Sequence, residues 1–277
     1  MREERRTHEN AEKSWPANLR RTPRAARLCV VNLAALVLVA LTVISTVGCS
    51  RTAKERVQQV EFKAADGFRL RGTVWLPKTR GKHPGVLMFA NLNQDRGTYK
   101  KLGEQLADTG LVAFAVDLRV QGGSVEANQD RDPFSPSNLR NLSQDALAAL
   151  GYLRRRKEVD PTRVAVVAAD GVVELVHRTI WNDSSVVAVA LLSPLFPDSL
   201  ADSLATHPPR PLFLACSFDD PGAAQVTKAI ADASPNPRSL VKFYFACGYG
   251  TDMLWSPEGD ALTTLLRTWL ADVLLGG

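Results

Sequence analysis

Two hydrophobic rhythms divide the body of this chain. In "VEFKAADGFRLRGTVWLP", residues 60–77, apolar and polar residues alternate on both sides of Asp66-Gly67. A period of two with a turn dipeptide at its centre predicts a β-hairpin. After Pro84 the alternation stops. "GVLMFA", "LVAFAVDL", "RVAVVAA", "VVAVALLS", "PLFLAC" and "VKFYFAC" are short, unbroken apolar runs. A strand covered on both faces has no polar side, so such runs suit a buried parallel sheet. Between them, helical periodicity covers 97–108, 143–157, 171–181, 222–233 and 257–274. Ser143 and Ser256 are the expected N-caps of two of these helices, with Pro257 at a first helical position and Gly110 as a stop. The alternation predicts an α/β fold of about eight strands, with helices on both faces and no large cap domain. The polar stretch 120–141, "VQGGSVEANQDRDPFSPSNLRN", interrupts the rhythm. It reads either as a binding loop or lid, or as a plain connection.

A different segment precedes the body. Residues 28–47, "LCVVNLAALVLVALTVISTV", are uncharged and long enough to span a bilayer. A basic region precedes them and "TVGCS" follows, in the order of a secretory signal. Cys49 after Gly48 resembles the lipidated cysteine of a bacterial lipobox, although Thr46 stands where Leu is usual. The alternative is an uncleaved signal anchor. Either way the body is expected outside the cytoplasm, anchored at the cell envelope through lipidated Cys49 or through segment 28–47. The pair Arg20-Arg21 is followed by residues that fit twin-arginine export poorly. The expected division is residues 1–48 as basic start and signal, 49–58 as tether, and 59–277 as the domain.

Composition changes this picture little. The net charge of +5 comes mostly from the start: residues 1–27 hold eight of 34 Lys and Arg but four of 29 acidic residues. The remaining 26 basic and 25 acidic residues nearly balance, which excludes a nucleic-acid surface by charge. No cysteine or histidine spacing suggests a metal, and no motif suggests an organic cofactor.

Several segments, in order, resemble the α/β-hydrolase superfamily, most closely its small dienelactone-hydrolase-like and acyl-peptidase-like members. "DGFRLRGTVWLPKTRGKHPGVLMFA" is similar to the opening hairpin and third strand. "GLVAFAVDLRVQGGS" is similar to the G-x-x-V-x-x-x-D-x-R-G-x-G-x-S segment. "LSQDALAALGYLRRRKEVDPTRVAVV" resembles the helix and strand before the nucleophile. "GYGTDML" resembles the GHGTxML segment before the last helix. The resemblance covers 59–277 and implies a nucleophile, a base, an acid and an oxyanion hole.

The implied machinery is altered. Asp170 stands where Ser is usual, with Ala168 and Val172 at the flanking glycine positions. As in haloalkane dehalogenases and epoxide hydrolases, its carboxylate could attack carbon. Alternatively it caps the following helix, and branched Val172 predicts a relaxed turn. Tyr249 holds the base position, and a phenol is a poor base near neutral pH. His8, His83, His177 and His207 all fall elsewhere. Asp219 or Asp220 matches the acid, or caps a helix. Asn91 and Gly171 match the oxyanion-hole positions. By the family's sheet order, Cys216 and Cys247 are expected at the ends of neighbouring strands, as a disulfide or as two buried thiols. With nucleophile and base both replaced, the expectation is a non-catalytic binding or scaffold module for a small ligand or an envelope protein. The rival is an active hydrolase of esters, haloalkanes or epoxides that uses Asp170.

Overall fold

The computed structural model describes residues 51–195 and 210–276, all within the unit Cys49–Gly277. The segment 28–47, Cys29, Cys49, His8 and His207 lie outside the described residues. Among the described residues, no helix is long and apolar enough to cross a membrane.

Eight strands form one sheet in the order β1-β2-β4-β3-β5-β6-β7-β8. Strands β1 (Val57–Lys63) and β2 (Arg69–Trp75) make the expected hairpin, in register from Val57 opposite Trp75 to Lys63 opposite Arg69. β2 then runs antiparallel to β4 (Val112–Asp117). β3 (His83–Phe89), β4, β5 (Val159–Ala169), β6 (Val186–Leu192), β7 (Leu212–Ser217) and β8 (Leu240–Tyr244) are parallel. Every residue of β4 and β7 is buried, as unbroken apolar runs require when both faces are covered.

Among the described residues the helices, in chain order, are α1 (Ala53–Arg56), α2 (Lys100–Asp108), α3 (Gly122–Asn128), α4 (Pro136–Arg154), α5 (Val172–Thr179), α6 (Pro221–Ala233) and α7 (Gly259–Leu275). Two cores result, one on each sheet face. Leu87, Phe114, Val166 and Leu214 pack with Ala149 and Leu153 of α4, Val176 of α5 and Ile230 of α6. Their strand neighbours Met88, Ala113, Val167 and Phe213 pack with Leu106 of α2 and Leu270 of α7. Pleating sends successive side chains to opposite faces, which is why adjacent strand residues serve different cores.

Gly110, at φ 99°, ends the turn after α2 as expected. Two helix starts differ from expectation. α4 begins at Pro136, seven residues before Ser143, and Ser135 caps it by accepting the Asn138 N–H at 3.3 Å. Its first two turns face solvent and so show no apolar rhythm. α7 begins at Gly259, with Glu258 at the cap position. The Ser256 hydroxyl instead donates back to Met253 O at 2.9 Å, closing a preceding 3-10 turn over Gly250–Trp255. The stretch 120–141 is also more ordered than a loop. It contains α3, whose Asn128 bonds both the N–H and the carbonyl of Arg69 on β2.

Candidate functional site

The carboxyl ends of the parallel strands form one edge of the sheet, where ligands bind in open α/β sheets. Backbone strain gathers there. Among the described residues the non-glycine residues at positive φ are Gln129, Asp170, Ser193 and Ala246. The last three follow β5, β6 and β8. Such conformations cost about 1–3 kcal/mol each and cluster at functional sites.

Asp170, at φ 53°, sits at a sharp elbow between β5 and α5, not in a relaxed turn. Val172 does not open the bend because its side chain is absorbed into the core beside Ala168 and Val173. Nor does Asp170 cap the helix. Gly171 takes the cap position, and no side chain accepts the helix N–H groups there. The Asp170 backbone carbonyl accepts from Val173 at 3.1 Å. The half-buried carboxyl is pushed above the ordinary carboxylate range, first by burial. The Gly171 N–H opposes this shift, while the nearby charges of Asp220 and Asp252 add to it.

Asp220 is the N-cap of α6, accepting the Ala223 N–H at 3.1 Å. This agrees with the capping reading and leaves it close enough to act on Asp170. Asp219 is exposed, and its N–H donates to Ser217 Oγ at 3.4 Å. Tyr249 is 44% exposed, and its carbonyl accepts from Asp252 N–H at 3.1 Å. Among the described residues its phenol bonds neither Asp170 nor Asp220. His83 starts β3 at the far end of the strands, and its buried Nε2 has no hydrogen-bond partner among the described residues. His177 lies on α5 with its ring 5.7 Å from that of Trp181.

The Asn91 side chain and carbonyl form a strut within the site. The side chain is fully buried. Oδ1 accepts from Thr251 N–H at 3.1 Å and from the Thr251 hydroxyl, and Nδ2 donates to Asn93 Oδ1 at 2.6 Å. Its carbonyl accepts from Gln121 Nε2 at 2.9 Å. Asn91 therefore ties the loop after β3 to the Tyr249 loop. Gly250, at φ 55°, makes this approach possible, since a Cβ there would come within 3.1 Å of the Asn91 amide.

Cys216 and Cys247 are free, buried thiols, not a disulfide. Across the ladder Cys216 faces Phe243, and burial pushes its thiol up, with Thr227 beside it. Cys247 lies beyond the end of β8, and its thiol donates to Phe245 O at 3.2 Å.

The sequence reading missed Asp252. It stands in the variable position of the GHGTxML-like segment and accepts from Gln94 Nε2 at 2.9 Å. Its proximity to Asp170 depends on the fold and has no signal in local spacing.

This sheet order, with an elbow after β5 and carboxylates after β7, is the α/β-hydrolase fold. Among solved structures, dienelactone hydrolase from Anabaena variabilis superposes with a TM-score of 0.60 at 16% identity, covering 79% of this chain and 99% of that one. The carboxylesterase EstE1 from a metagenomic library gives 0.57 at 15% identity, over 81% and 90%. By sequence, the chain is 28% identical over 191 residues to Thiohydrolase apmlB of Arthrinium phaeospermum, covering 68% of this chain and 54% of that protein. It is 30% identical over 153 residues to an uncharacterized protein of Mycobacterium tuberculosis, covering 55% and 50%. The chain thus spans about half the length of these curated relatives. No protein-family profile matches it.

Proposed function

We propose that this chain is a ligand-binding module on an α/β-hydrolase frame, without turnover of the Ser-His-acid kind. What supports this most is the motif that aligns Tyr249 with the base: its side chain is exposed, and both described histidines lie elsewhere. Hydrolysis of an ester formed on Asp170 would need a base to activate water. Among the described residues no histidine is placed to do so, and the charges of Asp220 and Asp252 act on Asp170, a polar setting suited to holding a ligand. As a module, the chain would be exported and held at the cell envelope through Cys49 or segment 28–47.

A second reading has its own support. Asp170 keeps the strained elbow conformation, is half-exposed, and is not used as a helix cap. The dienelactone hydrolase and thiohydrolase likenesses also favour hydrolysis. In that reading the Asp170 carboxylate is a nucleophile.

Turnover by the full-length chain in detergent separates the two. The panel is activated esters, lactones, haloalkanes and epoxides, with Asp170→Asn as control. The binding reading expects rates equal to those of the variant. Turnover lost on Asp170→Asn makes Asp170 the nucleophile. For the anchor, intact mass of the membrane fraction is expected to show a diacylglyceryl group on a chain beginning at Cys49, lost in Cys49→Ala. An unmodified full-length mass would instead support the signal anchor.

A further inference from the structure

Trp255 closes the 3-10 turn that follows Tyr249, and 64% of its surface is exposed. The side chain is nevertheless fixed. Its indole N–H donates to Thr98 O at 3.2 Å and to Thr98 Oγ1 at 2.9 Å. Pinning the nitrogen edge leaves the ring face as an open platform at a set angle.

Beside it lies a shallow depression of 390 Å³ lined by Gln94, Thr98, Asp252 and Trp255. Asp252 Oδ1 accepts from Gln94 Nε2 at 2.9 Å, which orients the carboxylate. Asp252 Oδ2 has no hydrogen bond among the described residues. Among the described residues the depression therefore offers one π face, one oriented carboxylate and no cation of its own. Lys101 lines a neighbouring 210 Å³ depression that shares Thr98 and Trp255, and it is already paired with Asp260.

An aromatic face beside a carboxylate is the arrangement that recognises organic cations. The ring quadrupole attracts the cation within about 6 Å of the centroid, and quaternary alkylammonium groups are favoured because they lose little hydration. A neutral sugar could stack on the indole but would leave the carboxylate charge uncompensated. The same charge reaches the elbow, where Asp252 helps to push the Asp170 carboxyl up.

We propose that Trp255 and Asp252 form a subsite for the alkylammonium group of a ligand. This rests on the binding reading of the elbow and adds the ligand's chemical class. Trp255 supplies the platform, Asp252 the counter-charge, and Gln94 holds Asp252 in place.

The test titrates the full-length chain in detergent with tetramethylammonium chloride, read by calorimetry. Saturable binding is expected, weakened about tenfold by Trp255→Ala and by Asp252→Asn, the order of one lost cation–π or charge contact. Trp255→Phe is expected to keep part of the affinity, and high salt to weaken binding in the parent. Trp255 is exposed, so its variants are expected to fold, checked by circular dichroism. Binding unchanged in both variants, or no saturable binding, overturns the subsite. Binding of methyl glucoside in place of tetramethylammonium, lost in the same variants, also overturns it in favour of a neutral sugar. Turnover that depends on Asp170 would end the non-catalytic reading without touching this result. A failed titration would end the subsite and leave that reading standing.

Discussion

Strands β4 and β5 flank β3, and each is followed by charge, handled in opposite ways. After β4, Arg119 is buried and fully engaged. Its N–H and Nε donate to Asp145, Nη2 donates to Asp145 Oδ1 at 2.6 Å, and Nη1 donates to Asp66 Oδ2 at 2.7 Å. Its guanidinium also lies 4.8 Å from the centre of the Phe68 ring. After β5, Asp170 is held in a strained conformation with other carboxylates nearby, and no cation among the described residues contributes to the shift of its carboxyl. Paired charge locks structure, while unpaired charge at a strand end leaves something for a ligand to complete. The Arg119 knot joins the β1–β2 hairpin turn, the end of β4 and helix α4, so it is scaffold. The elbow satisfies none of its neighbours in that way.

The largest effect should come from breaking the paired side. Arg119→Met leaves Asp145, which is wholly buried, without its counter-ion. Burial already pushes the Asp145 carboxyl up even with Arg119 beside it. Removing one partner of a buried pair costs about 3–5 kcal/mol. Urea unfolding should show a loss of that order. A loss below about 1 kcal/mol would mean that the knot is not what secures the hairpin, and the contrast with the elbow would collapse.

A smaller effect is expected at Asn91, a buried polar strut on the site side. Asn91→Ala removes the acceptor of the Thr251 N–H and the partner of Asn93. A buried group left unsatisfied costs about 1–3 kcal/mol. Because Asn91 joins the loop after β3 to the Tyr249 loop, amide exchange should rise at 249–252 more than in β4. Uniform exchange changes would place Asn91 with the scaffold instead.

Much of the scaffold was legible because burial on both faces writes itself as apolar runs; all six runs became parallel strands, although the last, β8, lies at the sheet edge with Val241 and Lys242 exposed. The hairpin was equally plain from period-two alternation about Asp66-Gly67. Helix starts were less so. The first turns of α4 are polar and exposed, so apolar periodicity begins well after Ser135. At the site, the identities of Asp170 and Tyr249 could be read from aligned motifs, but conformation could not. Val172 argued for an open turn, yet the core takes up its side chain and the elbow stays sharp. Asp252 and Asp220 meet Asp170 only through the sheet order, and no spacing along the chain announces that meeting. Likewise Cys216 lies within β7 while Cys247 falls beyond the end of β8, a difference that sequence order alone does not show.

The smallest effect is expected at Asp170 itself, and its sign is the informative part. The folded carboxyl titrates above its ordinary value, so folding favours the protonated form. That contribution is fully present at pH below the unfolded value of about 3.9, and it is lost as pH rises through the folded value. Asn copies the shape of the protonated acid and tolerates positive φ well. Asp170→Asn should therefore raise Tm at pH 7, and the two proteins should converge toward about pH 3. With the carboxyl only half-buried, the rise should stay below about 4 °C, the shift that 1 kcal/mol gives in a domain of this size. A fall in Tm at pH 7 would mean that the ionised carboxylate has a partner in the folded protein, and the unpaired elbow would then have to be reclassed with Arg119. A rise abolished by saturating tetramethylammonium would instead tie the unpaired charge to the cation subsite, because a bound cation would then supply the missing partner.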